Sequence, residues 1–126
     1  MNIIVALNPG WLLPRHVAQK SLPLSRTLPN GLNVVHLPMT SDNTFAAALI
    51  VHAGSLEEES DADSGMAHLL EHVLAMGSRR RRRLLRIGLP VSATTEFDRI
   101  SFIGSGQERQ LGRVLHALAE LSLIHI

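Results

Sequence analysis

Between Met66 and Met76 the chain passes through eleven residues whose only polar side chains are two histidines and a glutamate, in the order His68-Leu69-Leu70-Glu71-His72. Ala67, Leu69, Leu70, Val73, Leu74 and Ala75 fill the other positions. This pattern predicts a helix buried on most sides. Ser64 is the expected N-cap, because its hydroxyl can accept from an orphan N–H of the first turn. Gly77 is the expected stop. Burying two imidazoles and a carboxylate together is costly unless they are paired or hold a metal, so the apolar setting itself points to an occupied site.

The spacing says which site. Residues four apart share a helix face, so His68 and His72 can present ring nitrogens to one tetrahedral Zn²⁺ at about 2.0–2.1 Å. Glu71 stands one residue before the second histidine. From there its carboxylate can reach a water that the metal has made far more acidic than bulk water, and act as general base. HxxEH is the inverted counterpart of the zinc-peptidase motif HExxH. Chance alone gives the bare pattern in about two of a hundred chains of this composition. An isolated match would leave a helix with two merely packed or solvated histidines as the alternative.

Composition limits the rest. With 126 residues, 45% of them hydrophobic, the chain can bury one sizeable core. The absence of cysteine removes disulfides and thiolate ligands, so a zinc site must be built from histidine and carboxylate. A net charge of +1 gives no global pull towards nucleic acid or membrane, although acids gather in 57–63 and arginines in 79–86. The segment 1–13 is apolar but lacks the basic residues that open a secretory signal, and no stretch approaches the roughly 20 apolar residues of a bilayer span. The expectation is a soluble protein, with cytoplasm favoured over periplasm or an organelle.

Pro14, Pro23 and Pro29 punctuate a weakly patterned first third, which predicts a lead-in over 1–26. Asn30-Gly31 is a turn signal, and Leu32 to Leu37 follow as a strand. Phe45 to His52 is almost continuously apolar, as expected of a strand buried on both faces. Gly104-Ser105-Gly106 lacks the lysine of a phosphate loop and is expected to be a turn. Leu111, Val114, Leu115, Leu118 and Leu121 have helical spacing, predicting an amphipathic helix within 107–121.

Four segments, in order, carry a family resemblance: LPNGLNVV (28–35), VHAGSLEEE (51–59), GMAHLLEHVLAMGS (65–78) and SATTEFDRISF (92–102). The chain resembles, over 27–121, the N-terminal part of the pitrilysin/insulinase family of zinc peptidases. The resemblance implies an α+β fold with an antiparallel sheet packed by helices, and two or more such units closing around an extended peptide that adds as a strand to a sheet edge. It implies that His68 and His72 bind zinc and that Glu71 is the catalytic base. It also implies a third zinc ligand, a glutamate on a later helix whose spacing falls beyond Ile126. His116 and Glu120 are the nearest downstream substitutes. Ser92-Ala93 stands where the family has Asn-Ala, Ile100 and Phe102 replace a threonine and a tyrosine, and the segment after His72 is shorter than usual.

The block Arg79–Arg83 with Arg86 competes between a solvated surface and an anion-binding face. With no Tyr, one Trp and three Phe, base stacking is poorly served, so the solvated reading is favoured and no nucleic-acid partner is expected. The acidic loop 57–63 is expected to be solvated while complementing the helix dipole. His16, His36, His52 and His125 show no ligand spacing. The closing LSLIHI (121–126) has no capping residue, so the chain reads as a fragment. The expected function is a zinc metalloendopeptidase acting on peptide or protein substrates, together with the remainder of the peptidase or a partner subunit. The alternative is a catalytically incomplete interaction or scaffold subunit.

Overall fold

The computed structural model describes residues 2–7, 22–38, 43–60 and 63–121. Pro14, His16, His125 and the closing segment 122–126 lie outside them. Strand β2 (Leu24–Thr27) turns into β3 (Asn33–Pro38). Gly31 makes that turn with φ of 80°, a conformation glycine adopts without a Cβ penalty, while the Asn30 side-chain oxygen accepts from the Leu32 N–H at 3.2 Å. Strand β4 (Thr44–Val51) follows, then helices α1 (Met66–Gly77) and α2 (Arg79–Arg86). The β5 (Val91–Thr95) and β6 (Ile100–Gln107) hairpin leads through a single 3₁₀ turn at 108–110 into α3 (Leu111–Leu121).

All strands join one sheet in the order β2-β3-β1-β4-β6-β5, where β1 is Asn2–Leu7. Every pairing is antiparallel except β1 with β3. The expected α+β architecture, an antiparallel sheet packed by helices, is therefore present. The lead-in 1–26 differs from expectation, because it supplies β1 and most of β2. Strand β1 sits between β3 and β4 and registers Asn2 against Asn33 on one side and Ile50 on the other. Without it the facing backbone groups of β3 and β4 would need other partners. The run Asn2-Ile3-Ile4-Val5-Ala6-Leu7 has the β-branched content that favours a strand.

The core lies between the helices and one face of the sheet. Leu49 on β4 faces Phe102 on β6, and both are fully buried. Val114, Ala117, Leu118 and Leu121 bring the buried stripe of α3 down on β4 and β6. The expectation that β4 is covered on both faces is corrected: Phe45, Ala47 and Leu49 are buried, whereas Ala46 is exposed and Ile50 only half-buried. The helices cover one face only, so a uniformly apolar strand still alternates in burial. The expected turn at 104–106 is also corrected, since Gly104 and Gly106 lie inside β6. A Cβ on Gly104 would come within 2.6 Å of the Val114 side chain, so this glycine marks close helix–sheet approach. No helix among the described residues is long and apolar enough to cross a membrane.

Candidate active site

Helix α1 begins after Gly65, which takes a left-handed conformation with φ of 85°. The expected cap at Ser64 is corrected, because no side chain of the N-cap residue bonds the first turn. Glu58 does that work from the acidic loop: its carboxylate accepts from the N–H groups of Gly65 and Ala67, each at 3.1 Å. A charged acceptor at this end also complements the helix dipole. Glu58 is thus a helix anchor where a solvated loop was expected. Gly77 is the last helical residue, as expected, and Ser78 closes α1 through its N–H to the Leu74 carbonyl at 3.2 Å. The Ser78 hydroxyl then accepts from the Arg81 N–H at 3.0 Å and caps α2.

The helix does not bury most of its surface. Ala67, Glu71 and Ala75, spaced by four, form the buried stripe towards the sheet, and α1 rests chiefly on β5. Met66, Leu69, Val73 and Met76 form an outer stripe, each more than half exposed. The run is apolar all round, yet the sheet covers only one side of it.

Within this setting the two motif histidines come together. The Nε2 atoms of His68 and His72 approach to 3.0 Å, with ring centroids 4.7 Å apart and planes tilted by 34°. Two nitrogens on a tetrahedral zinc at 2.0–2.1 Å would stand about 3.3 Å apart, so the pair converges as two ligands of one ion must. Both rings are exposed. Glu71 is buried to 8% exposure, and its Oε2 accepts from the Thr95 hydroxyl on β5 at 2.7 Å. That bond ties the Glu71 carboxylate, one residue before His72 in the sequence, to β5.

Among the described residues no third His, Asp or Glu joins the pair. Glu120 is engaged elsewhere: its carboxylate accepts from the N–H groups of Arg79 and Arg80 at 3.2 and 3.3 Å and pairs with the Arg80 guanidinium at 3.4 Å. His116 lines the groove between α2 and α3. Neither substitutes for a third ligand.

Thr95 was not among the site residues read from the sequence. Its signal is the period of two along β5, which places Val91, Ala93 and Thr95 on the inner face while Ser92 and Thr94 are exposed. Arg81 was likewise hidden in its block. Its guanidinium donates to the carbonyls of Val91 at 2.9 Å and Ala75 at 3.3 Å, tying α2 to the start of β5 and to α1. Strand β5 is an outer strand of the sheet, so its far edge has no neighbour among the described strands.

A family model described as insulinase (peptidase family M16) matches residues 34–124, the stretch that holds this helix and its supporting strands. The chain belongs to this family. It is 42% identical over 76 residues to the chloroplastic stromal processing peptidase of Arabidopsis thaliana, a match covering 60% of this chain and 6% of that protein. It is 27% identical over 134 residues to the probable zinc protease PqqL of Escherichia coli strain K12, covering 95% of this chain and 14% of that one. The crystal structure of the first half of periplasmic PqqL superposes with a TM-score of 0.71 at 25% identity, covering 83% of this chain and 25% of the solved one. The chain thus spans a small part of the length of the relatives it matches.

Proposed function

We propose that this chain carries the metal-binding helix and general base of a zinc-dependent metalloendopeptidase. The observation that carries the reading is the convergence of the His68 and His72 Nε2 atoms at 3.0 Å beside a Glu71 carboxylate held by Thr95. Membership of a peptidase family and the name of the zinc protease PqqL support it. A zinc ion held by the two imidazoles would supply Lewis acidity, polarising the scissile carbonyl and acidifying a water.

The residues divide the work. Glu71 takes a proton from the attacking water through Oε1 and returns it to the departing amine. Thr95 keeps the carboxylate in place by donating to Oε2. The outer edge of β5 offers backbone N–H and C=O groups to an extended peptide, which adds as a further strand. The exposed apolar stripe of α1 suits a further stretch of polypeptide closing over the helix, either more of the same protein or a partner subunit.

In the native protein, Glu71→Gln should lower peptide hydrolysis at least a hundredfold while leaving zinc content unchanged, because removal of a general base costs about 10²–10⁴ in rate. Undiminished turnover would refute the assignment of Glu71. A second reading, an interaction or scaffold subunit of the same family, draws on the lack of a third ligand among the described residues. Native protein that hydrolyses no peptide in the presence of zinc would favour it.

A further inference from the structure

The arginine block divides in two. Arg81 and Arg82 spend their guanidinium groups on backbone carbonyls, those of Val91 and Ala75 for the first and Met76 for the second. Arg80 and Arg83, three residues apart on one face of α2, turn instead to a groove of about 640 Å³ between α2 and α3. The opposite wall carries Arg109 and Arg113, and Leu84 and Ile87 add apolar surface. No acidic side chain lines this groove. Arg80 pairs with Glu120, whereas Arg83, Arg109 and Arg113 form no ion pair with an acidic side chain among the described residues.

Four guanidinium groups held on α2, α3 and the 3₁₀ turn before it, only Arg80 of them paired with a carboxylate, select for negative charge. Their arrangement as a pair on each wall, with apolar surface in the same groove, suits a ligand that carries anions along its length better than one compact anion. Guanidinium forks match carboxylates bidentately. No Phe, Tyr or Trp lines the groove, so an oligonucleotide would find phosphate contacts without a stacking platform.

We propose that the groove between α2 and α3 is a docking site for an acidic stretch of polypeptide, whose carboxylates meet Arg83, Arg109 and Arg113 while its apolar side chains rest on Leu84 and Ile87. That this stretch belongs to a substrate rests on the peptidase reading; the binding itself does not.

The test is fluorescence anisotropy of the native protein with a labelled peptide of interspersed Glu and Leu, in metal-free buffer of low ionic strength. The acidic peptide should bind, its Gln counterpart should not, and added salt should weaken the complex. The triple variant Arg83→Gln, Arg109→Gln, Arg113→Gln should lose at least tenfold in affinity, since each hydrogen bond to a charged group is worth about tenfold. Gly112→Glu offers an independent route, because a Cβ there meets nothing within 4 Å and the new carboxylate would repel the peptide. Arg26→Gln on exposed β2 should leave binding intact, and so should Glu71→Gln, which separates this site from the failure or success of the peptidase assignment. No binding by the wild type would overturn the proposal. So would equal affinity in the triple variant and Gly112→Glu, equal loss in Arg26→Gln, or tighter binding of a single-stranded oligonucleotide of matched charge.

Discussion

Glu71 is buried while the two histidines beside it in sequence face solvent, and the contrast follows from the 3.6-residue turn: the helix puts Glu71 on the stripe of Ala67 and Ala75, against β5. A carboxylate there needs a donor, and Thr95 is the one the fold provides. Thr95→Val should therefore lower turnover about tenfold with zinc content unchanged, while Thr95→Ser retains activity. Parallel kinetic and elemental measurements decide this, and equal turnover in the valine variant would remove Thr95 from the machinery. His68, Glu71 and His72 could be picked out from sequence because helical spacing alone brings them together. Thr95 lies in the family-like segment 92–102, but its role could not be assigned, since its bond spans 24 residues and exists only once α1 packs on β5.

At the scale of elements, the apolar periodicity of α3 and the turn at Asn30-Gly31 were legible because local chemistry governs both. The start of α1 was not. Ser64 offered the usual local cap, yet Glu58, seven residues before Gly65, reaches two N–H groups at once. Glu58→Ala should cost about 1 kcal/mol of stability, read as a lower midpoint in denaturant unfolding. Ser64→Ala should cost much less, and the reverse order would contradict the cap described here. Gly104 likewise reads as a loop residue in isolation and acts as a spacer in the folded chain. Gly104→Ala should destabilise by about 1–3 kcal/mol, because the added methyl meets Val114 across the interface.

For the whole molecule, long-range pairing is what the sequence concealed. The insertion of β1 between β3 and β4 joins residues more than thirty positions apart, and nothing in Asn2–Leu7 announces its neighbours. The same assembly leaves β5 at the sheet margin beside the motif helix, the arrangement a strand-adding substrate requires. It also leaves the outer stripe of α1 uncovered in a chain that spans between 6% and 14% of the two curated relatives compared. In the proposed function the motif helix, the buried Glu71 and the open edge of β5 would act together. The central claim is that the two histidines hold the metal. The direct measurement is the zinc content, by elemental analysis, of native protein beside His68→Ala and His72→Ala. The account predicts stoichiometric zinc in the wild type and its loss in both variants; equal zinc in all three would contradict it.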